Sequence, residues 1–474
     1  MPQIDKTLNN HAGFVKEAPE KPREKCGIFA LAGYRGPGRA AMLAYLGLLA
    51  LQHRGQESAG MAYGSPEGLV LLKGMGLVDR VFRRSSLISI KADTILGHVR
   101  YSTTGSSKSA NAQPLLARSR DGSAIALAHN GNLTNTAVLH QKLFEEGHIF
   151  HSTSDSEIIL TYIFQYRRKG LGEAVRKAVS LIQGAYAAVA TDGREVVAFR
   201  DPGGFRPLVL GRLNGATVFA SETAALDTVG ASFVRDIKPG EIVSTVGGVL
   251  SSFSVPAAGK ASLCIFEYVY FARPDSIIDG VSVHIFRKKV GRKLAERIPA
   301  SVDLVIPSPD SGISAGIGLA DALGVPLEWA IHRNPYLGRT FIEPTRAWRE
   351  AAVRLKFNPI NALIRGKRVA LVDDSLVRGT TARVLIELLR AAGAATVHLC
   401  IASPPYRFPC YYGIDIPVAS DLAVPGESLS YLAASIGADS VTFARAEDLY
   451  SSAGRGAENY CTACFTGYYP DEGH

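Results

Sequence analysis

Short apolar runs alternate with helically spaced apolar positions in the carboxyl-terminal half of the chain. Residues 369–372 are four consecutive apolar residues, two of them valine, and they predict a buried strand of a parallel sheet. The apolar positions between Val384 and Leu389 recur with helical spacing and predict a helix that ends near Gly393. Residues 396–402 then resume a strand-like run, so the order predicts a βαβ unit.

Other segments extend this α/β pattern. Residues 302–306 predict a second strand, followed by a loop at 307–312, and residues 26–30 begin a strand-like run near the amino terminus. The apolar run 40–51 is too short to cross a bilayer and predicts a buried helix.

Composition indicates a globular protein of two or three domains, because the 474 residues are 47% hydrophobic and 20% charged. Residues 1–25 are polar and lack the apolar core of a secretory signal, so we expect a cytoplasmic protein without a membrane partner. Most of the net charge of +9 lies in residues 333–368, which contain nine Lys or Arg and two Glu. This basic segment suits a polyanionic small substrate better than nucleic acid, although a solvated face is the simpler alternative.

Two acids follow the first predicted strand at Asp373 and Asp374. Ligands of βαβ units bind beyond the carboxyl end of a strand, where loop N–H groups and a helix N-terminus favour phosphate. Ser375, Thr380 and Thr381 add hydroxyl donors to this loop. The acids are better explained as partners for ribose hydroxyls or Mg²⁺ than for phosphate, and the alternative is a pair of surface acids.

Residues 369–381 resemble the 5-phosphoribosyl-1-pyrophosphate (PRPP) loop of type I phosphoribosyltransferases. The resemblance implies that the two acids hold the ribose while the following residues cradle the 5-phosphate. It implies PRPP-binding roles for Asp373, Asp374, Ser375, Arg378, Gly379, Thr380 and Thr381, pyrophosphate contacts by Arg339, Arg354 and Lys356, and Mg²⁺ ligands at Ser311, Asp373 and Asp374.

Cys26 stands at the start of an apolar run, directly after the polar leader. If residues 1–25 are a propeptide that is removed, Cys26 carries both a thiol and an α-amino group whose pKa of about 7.7–8.0 suits a general base. The alternative is a small buried cysteine at the start of a strand.

Four strings in the amino-terminal half, residues 51–60, 97–105, 111–114 and 129–133, resemble the glutaminase domain of N-terminal-nucleophile amidotransferases. The resemblance implies that Arg100 binds the α-carboxylate of glutamine and Asp155 its α-ammonium. It also implies an oxyanion hole formed by the Asn130 side chain and the Gly131 N–H. Singly, Asn130-Gly131 is typical of a hairpin turn, Arg100 of a surface cation and Asp155 of a helix N-cap.

Both halves together resemble the glutamine PRPP amidotransferase family from about residue 26 to 469, including residues 200–208 and 266–276 at the join. The resemblance implies an αββα N-terminal-nucleophile glutaminase at 26–255 and a type I phosphoribosyltransferase α/β domain at 260–474. The implied reaction passes ammonia from glutamine to PRPP, giving 5-phosphoribosylamine, glutamate and pyrophosphate in purine biosynthesis. Feedback inhibition by purine nucleotides and a homotetramer are further implications.

Two positions depart from the family pattern. Pro335 stands where a basic residue is usual, and Ala30 replaces a usual glycine. Pro335 removes a charge and a donor from the segment expected to cover pyrophosphate, which affects PRPP affinity or loop dynamics more than the reaction type.

The cysteines include a C-x2-C pair at Cys461 and Cys464, and Cys264 and Cys410 can complete a four-thiolate set. Thiolate ligation alone does not distinguish zinc from iron–sulfur. The resemblance implies a [4Fe–4S] cluster on these four residues, as in a subset of the family. Cys400 lies in a predicted strand and is expected in the core.

Three rival functions differ from this one: a non-enzymatic PRPP sensor, an amidotransferase that delivers ammonia to another sugar phosphate, and an inactive scaffold. The complete glutaminase set argues against the sensor, and the Asp373-Asp374 loop argues against the second rival. Only Pro335 supports the third.

Overall fold

The computed structural model describes residues 26–36, 40–101, 108–255, 260–335, 356–414 and 428–470. Within these ranges no helix is long and apolar enough to cross a membrane.

The amino-terminal part is built on two antiparallel sheets. Its strands are β1 (Gly27–Ala32), β2 (Ser58–Ser65), β3 (Gly68–Met75), β4 (Ile95–Arg100), β5 (Leu115–Arg118), β6 (Ala124–Leu133), β7 (Gly184–Thr191), β8 (Glu195–Arg200), β9 (Val209–Leu213), β10 (Ala216–Ala220), β11 (Ser232–Asp236), β12 (Glu241–Val246) and β13 (Val249–Ser254). One sheet has the order β11-β9-β10-β1-β4-β2-β3, and the other has the order β13-β12-β8-β7-β6-β5.

Helices cover the outer faces of both sheets. They are α1 (Ala40–Ala50), α2 (Val78–Val81), α3 (Arg84–Ile88), α4 (Thr136–Glu145), α5 (Ser156–Tyr166), α6 (Leu171–Val179) and α7 (Thr223–Val229). The first sheet packs on α1 and α7, and the second packs on α5 and α6. The result is the αββα arrangement that the sequence implied.

Strand β1 shows how the sequence makes these layers. Phe29 and Leu31 face the helix layer, whereas Ile28 and Ala30 face the opposite sheet. Successive side chains of a strand point to opposite faces, so a strand buried on both sides is apolar throughout. Ala30, which departs from the family's glycine, is fully buried between the sheets.

The carboxyl-terminal part contains a parallel sheet of order β17-β20-β21-β22 and several short two-stranded pairs. Its strands are β14 (Leu263–Cys264), β15 (Ile277–Ile278), β16 (Val281–Ser282), β17 (Leu304–Pro307), β18 (Ile331–Arg333), β19 (Phe357–Pro359), β20 (Arg368–Asp373), β21 (Thr396–Ile401), β22 (Ser440–Phe443) and β23 (Tyr460–Cys461). Its helices are α8 (Val283–Ala295), α9 (Ile313–Leu323), α10 (Asn361–Ile364), α11 (Thr380–Ala391), α12 (Leu429–Ile436), α13 (Ala446–Ala453) and α14 (Ala463–Thr466), with a short π-helix at Glu267–Phe271.

Both faces of the parallel sheet are covered. On β20, Ala370 and Val372 pack with α8 and α9, whereas Val369 and Leu371 pack with α11 and α12. Parallel sheets are buried on both faces in this way. The predicted βαβ unit is confirmed as β20, α11 and β21, and the predicted strand at 302–306 is found at Leu304–Pro307.

The two parts of the chain pack together through aromatic and polar contacts. The Phe205 and Tyr412 rings stack with centroids 4.4 Å apart. The Asn132 amide donates to the Tyr411 carbonyl at 3.0 Å, and the buried Arg200 guanidinium pairs with Asp279 at 3.1 Å. These contacts join residues of the glutaminase-like sheets to residues of the carboxyl-terminal part.

Candidate active sites

Cys26 lies directly before β1, with 7% of its surface exposed. Its thiol donates a weak hydrogen bond to the Tyr101 carbonyl at 3.8 Å. Because β1 and β4 are antiparallel with Gly27 opposite Val99, Cys26 lies next to the end of β4 at Arg100. Arg100 is buried and pairs with the Glu57 carboxylate at 2.7 Å, which orients its guanidinium.

Asn130 and Gly131 lie within β6, in the other sheet. The Nδ2 atom of Asn130 is buried and has no hydrogen-bond partner among the described residues. Gly131 has φ of +148° and its backbone approaches β7 so closely that a Cβ would meet the main chain of Tyr186 at 2.7 Å. Glycine is therefore required here, and the pair presents a side-chain donor beside a main-chain donor.

Asp155 occupies the position before α5, yet its side chain does not cap that helix. The buried carboxylate instead accepts a hydrogen bond from the Leu133 N–H at 2.9 Å. This contact ties the start of α5 to the strand that carries Asn130 and Gly131.

Two buried histidines lie behind this site. The Nε2 of His98 donates to the His129 carbonyl at 3.0 Å, which joins the two sheets close to Asn130. Nδ1 of His129 lies 2.9 Å from the Ser156 hydroxyl, and the His129 N–H donates to the Gln113 side chain at 2.7 Å. Burial lowers the pKa of His98 to about 3 and also lowers the pKa of His129. Both rings are therefore neutral at physiological pH and serve as hydrogen-bonding supports.

These contacts decide between the alternative interpretations of the glutaminase strings. Asn130 and Gly131 lie in a strand rather than a hairpin turn, and Arg100 is buried rather than a surface cation. Asp155 has the N-cap position without the N-cap hydrogen bond.

The second site lies at the carboxyl end of β20. Asp373, Asp374 and Ser375 are all buried. Asp373 accepts from the Ser311 hydroxyl at 3.0 Å and from the Asp374 N–H at 2.9 Å, and the Ser375 hydroxyl donates to Asp374. The guanidinium of Arg287 beside Asp374 is buried, and burial lowers its pKa to about 10, so it stays protonated. Hydrogen-bond donors and a nearby cation thus stabilise the negative charge of two adjacent carboxylates. They lie at the edge of the sheet where α/β proteins bind their ligands.

The start of α11 follows this acidic pair. Gly379 has φ of +76° and occupies the N-cap position, a conformation that side chains other than glycine adopt rarely. Arg378 and Thr381 are half-buried and Thr380 is exposed at this helix terminus. A helix N-terminus with nearby hydroxyls suits a phosphate group.

A loop from the neighbouring strand completes the second site. The Ser308 N–H donates to the Val372 carbonyl at 2.7 Å, which brings the 308–312 loop against β20 and places Ser311 on Asp373. The peptide bond between Pro309 and Asp310 is cis.

The basic segment begins at the end of β18, and its later part includes β19 and reaches the start of β20. Arg333 on β18 pairs with Asp310, and the Asn334 N–H donates to the Lys356 carbonyl at 2.9 Å. Lys356 therefore lies at the base of this segment, and Pro335 is exposed beside it. The predicted pyrophosphate contacts Arg339 and Arg354 lie outside the described residues.

Four of the six cysteines gather between the two halves. Cys264 on β14 and Cys461 on β23 are register partners of a parallel pair, Cys464 lies in α14, and Cys410 is half-buried near them. Burial, together with the neighbouring thiols, raises the pKa of Cys264 to about 12, and the pKa values of Cys461 and Cys464 are also raised by burial and by the other thiols. Cys400 is buried in β21 and belongs to the core, as expected.

This donor set has the chemistry of a thiolate metal site, since three buried thiols and the half-buried Cys410 thiol, from separated chain segments, influence each other electrostatically. Over the described ranges, however, no three or more His, Cys, Asp or Glu side chains are arranged so that they could hold a metal ion. The cluster and the Mg²⁺ site accordingly stay predictions.

The sequence did not single out several supporting residues. Glu57, Gln113 and Ser156 lie within or beside the motif strings, but their partners are distant in the chain. Arg287 comes from α8, outside every motif. The only feature of the sequence that could have pointed to these supporting residues is their polar character within otherwise apolar segments.

Known proteins share these features. A glutamine amidotransferase domain family matches residues 98–228. An amidophosphoribosyltransferase of Synechococcus elongatus is 46% identical over 460 residues, covering 96% of this chain and 93% of the relative. One of Bacillus subtilis is 43% identical, covering 95% and 94%. The solved structure of glutamine PRPP amidotransferase from B. subtilis, complexed with ADP and GMP, matches with a TM-score of 0.87 and 42% identity over 94% of this chain and 97% of that chain.

A double-sheet glutaminase joined to a phosphoribosyltransferase sheet defines a glutamine amidotransferase that is also a pentosyltransferase. Its two sites lie on separate parts of one chain. The chain belongs to the amidophosphoribosyltransferase family. It catalyses the first step of purine biosynthesis, in which nitrogen from glutamine replaces the pyrophosphate of PRPP to give 5-phosphoribosylamine, glutamate and pyrophosphate.

Proposed function

We propose that Cys26 is the nucleophile of this reaction and becomes the first residue of the working enzyme once residues 1–25 are removed. Its Sγ attacks the amide carbon of glutamine while its own α-amino group takes the thiol proton. The tetrahedral intermediate collapses to a glutamyl thioester, and that amino group returns a proton to the leaving ammonia. Water then attacks the thioester, which releases glutamate and regenerates the thiol.

The residues around Cys26 bind glutamine and stabilise the oxyanion. Asn130 Nδ2 and the Gly131 N–H donate to the developing negative charge, and the loss of one such donor typically costs about 2.7–4 kcal/mol of transition-state stabilisation. Arg100, held by Glu57, binds the α-carboxylate of glutamine. Asp155 binds its α-ammonium.

At the second site, Asp373 and Asp374 hold the ribose hydroxyls of PRPP. Residues of the loop and the α11 terminus bind the 5-phosphate, namely Ser375, Arg378, Gly379, Thr380 and Thr381. Lys356 and Arg339 contact the pyrophosphate. Ser311, Asp373 and Asp374 would supply oxygen donors to a Mg²⁺ ion, which would neutralise charge on the pyrophosphate.

Ammonia passes between the two sites inside the protein, because free ammonia would be protonated in water. PRPP binding therefore activates glutamine hydrolysis, so that glutamine is not wasted when no acceptor is present. Purine nucleotides inhibit the enzyme by feedback, and the working form is a cytoplasmic homotetramer.

Cys264, Cys410, Cys461 and Cys464 hold a [4Fe–4S] cluster. When bound, the cluster cross-links the last segment of the chain to the start of the carboxyl-terminal half. The surrounding core contains Phe205, Ala185 and Tyr412 from both halves, so the thiols help to fix the join. No chemical step of the reaction is assigned to this group.

The buried Asn130 Nδ2, a donor with no partner in the described ranges, carries the glutaminase proposal. The test is glutamate release from glutamine by the purified protein, with and without PRPP and Mg²⁺, alongside the intact mass of the chain. Release that rises with PRPP, from protein that begins at Cys26, supports both sites and their coupling. Full glutamine activity from a chain that retains residues 1–25 would overturn the processing step. A correctly processed chain with no release would favour the PRPP-sensor alternative.

A further inference from the structure

Arg54 is a buried guanidinium that lies between carboxylates of the two halves. Only 1% of its surface is exposed. Its Nε donates to Glu222, which precedes α7 in the glutaminase part, and its Nη2 donates to Glu267, which begins the π-helix of the carboxyl-terminal part, at 2.5 Å. Neither carboxylate nor the guanidinium is assigned to substrate at either site. A buried charge set that spans a domain join without a proposed substrate contact requires another explanation.

Arg54 and Glu222 are held charged by their neighbours. Burial alone would lower the pKa of Arg54, but Glu222 and Glu267 outweigh burial and raise it. Burial alone would raise the pKa of Glu222, yet Arg54 and His53 hold it well below its usual range. Glu267 also lies 3.6 Å from the Arg206 guanidinium. The attraction between these groups acts in a dry environment, where it is least screened.

On the glutaminase side, Arg54 and Gly55 pack closely on residues beside the proposed glutamine site. A Cβ added to Gly27, the residue after Cys26, would lie 3.4 Å from the Cβ of Arg54. A Cβ added to Gly55 would lie 2.6 Å from the backbone nitrogen of Arg100. Two glycines thus allow the Arg54 segment to pack directly on Gly27, the residue after the proposed nucleophile, and on the backbone of Arg100.

On the other side, the π-helix Glu267–Phe271 contacts a residue beside the PRPP loop. Arg287 donates from Nε to the Tyr268 carbonyl at 2.7 Å and from Nη2 to the Ala272 carbonyl at 2.8 Å. The same guanidinium attracts the Asp374 carboxylate and lines a small cavity with it. Arg287 therefore connects the surroundings of Asp374 to this helix.

The chain that follows the π-helix is held from the glutaminase side as well. The Arg273 N–H donates to Glu222 Oε2 at 2.9 Å, and the Ser276 hydroxyl donates to the same oxygen at 2.6 Å. The segment from Glu267 to Ser276 is consequently attached to Arg54 and Glu222 at both ends. Because densely packed elements shift between discrete arrangements and do not deform gradually, we expect this segment to move as one unit with Arg54 and Glu222.

We propose that Arg54, through Glu267 and Glu222, is the positioning residue that couples the PRPP loop to the glutamine site. Occupancy of the loop at Asp374 moves Arg287 and the π-helix, and the ion pair passes this movement to the backbone at Gly27 and Arg100. This inference rests on the proposed function, namely that PRPP stimulates glutamine hydrolysis.

The decisive variant is Glu267→Gln in the full, processed chain. The glutamine side chain at position 267 retains the shape of glutamate and one hydrogen-bond acceptor but carries no charge. Arg54 keeps its ion pair with Glu222. Three rates are measured: glutamate release without PRPP, glutamate release with PRPP and Mg²⁺, and pyrophosphate release from PRPP with ammonium chloride as the nitrogen source. We expect the stimulation by PRPP to fall about tenfold, within the usual range for coupling between sites, while the other two rates stay within about twofold of the original chain.

Arg54→Lys is the second variant, since lysine keeps the charge but cannot bridge two carboxylates through a planar fork. It should lose stimulation to a similar extent, and the double variant should lose no more than either single one, because both act through one contact. Asp279→Asn is the matched control: it removes a separate ion pair across the join, between the Asp279 carboxylate and the buried Arg200 guanidinium, and should keep full stimulation.

If PRPP still stimulated glutamate release in both Glu267→Gln and Arg54→Lys, the inference would be overturned. An equal loss of stimulation in Asp279→Asn would also overturn it, because it would indicate general loosening of the join. An original chain that PRPP does not stimulate would overturn the proposed coupling itself, so the two failures are distinguishable. The ammonia-dependent rate verifies that each variant is folded.

Discussion

The Asp155 carboxylate accepts a hydrogen bond from the Leu133 backbone N–H at 2.9 Å. The residue proposed to bind the glutamine ammonium therefore also fixes the strand that carries the proposed oxyanion donors. Substrate binding and transition-state stabilisation share one structural support.

Asp155→Asn should separate these two roles. The asparagine oxygen can still accept from Leu133, whereas the charge that binds the ammonium is lost. A hydrogen bond to a charged group contributes about 1.5–3 kcal/mol, so KM for glutamine should rise about 10- to 100-fold with a smaller change in kcat. Steady-state glutamate release measures both constants. Asp121→Asn, an exposed turn residue, serves as the control, and an unchanged KM in Asp155→Asn would remove the ammonium-binding role.

Asn130→Ala should reduce glutamine hydrolysis about 10²- to 10³-fold, the usual effect of removing one oxyanion donor. Ammonia-dependent pyrophosphate release should remain, because the second site is untouched. Asn132→Ala, two residues along the same strand, loses the contact with the Tyr411 carbonyl but no proposed oxyanion donor, and it should keep most hydrolysis. Equal losses in the two variants would indicate a damaged strand instead of a missing donor.

Asp374→Asn should lower pyrophosphate release from PRPP about 100-fold with either nitrogen source, since a charged hydrogen-bond acceptor for ribose is lost. Glutamine hydrolysis without PRPP should not change. Asp303→Asn provides the control, because Asp303 lies at the opposite end of the same sheet, paired with Arg368. Normal PRPP turnover by the Asp374 variant would exclude this carboxylate from the site.

Cys461→Ser should abolish iron and sulfide in anaerobically purified protein, whereas Cys400→Ser should retain about four irons per chain. Both thiols are buried, but only Cys461 lies among the other three predicted ligands. Metal analysis and visible absorbance measure the difference. Because burial raises the pKa of these thiols, uptake of iron must release protons, and reconstitution should weaken as pH falls. Stoichiometric zinc in place of iron would correct the metal assignment.

His98 should make the glutaminase half acid-sensitive. Burial lowers its pKa to about 3, so between about pH 6.5 and 3 the unfolded chain binds a proton that the folded chain excludes. Stability is complete above pH 6.5 and falls as pH drops, by up to about 1.4 kcal/mol per pH unit for this group. His98→Gln should lose less thermal stability between pH 7 and pH 5 than the original chain. His332→Gln, at an exposed position, should not alter that loss.

Local patterns predicted the elements of the fold well. The strand at 369–372, the helix predicted to end near Gly393 and the helix at 40–51 depend on neighbours in the chain, and each was found close to its predicted position. The loop acids Asp373 and Asp374 were identifiable for the same reason, since they directly follow a recognisable strand.

Long-range partners could not be predicted in this way. Glu57 meets Arg100 because β2 and β4 pair in one register, and Arg54 meets Glu267 because two halves dock. Such contacts depend on sheet order and domain packing, which hydrophobic periodicity does not specify. Asn130-Gly131 illustrates the limit, because the dipeptide alone is typical of a turn, and only the pairing of β6 with β7 establishes it as a strand.

The parallel pair of β14 and β23 joins Cys264 to Cys461, one near the start of the carboxyl-terminal half and the other near its end. During synthesis the first partner leaves the ribosome long before the second, so the two strands can pair only after the residues between them have been made. A chain that terminates before Cys461 therefore lacks this pairing, which lies beside the core shared by the two halves.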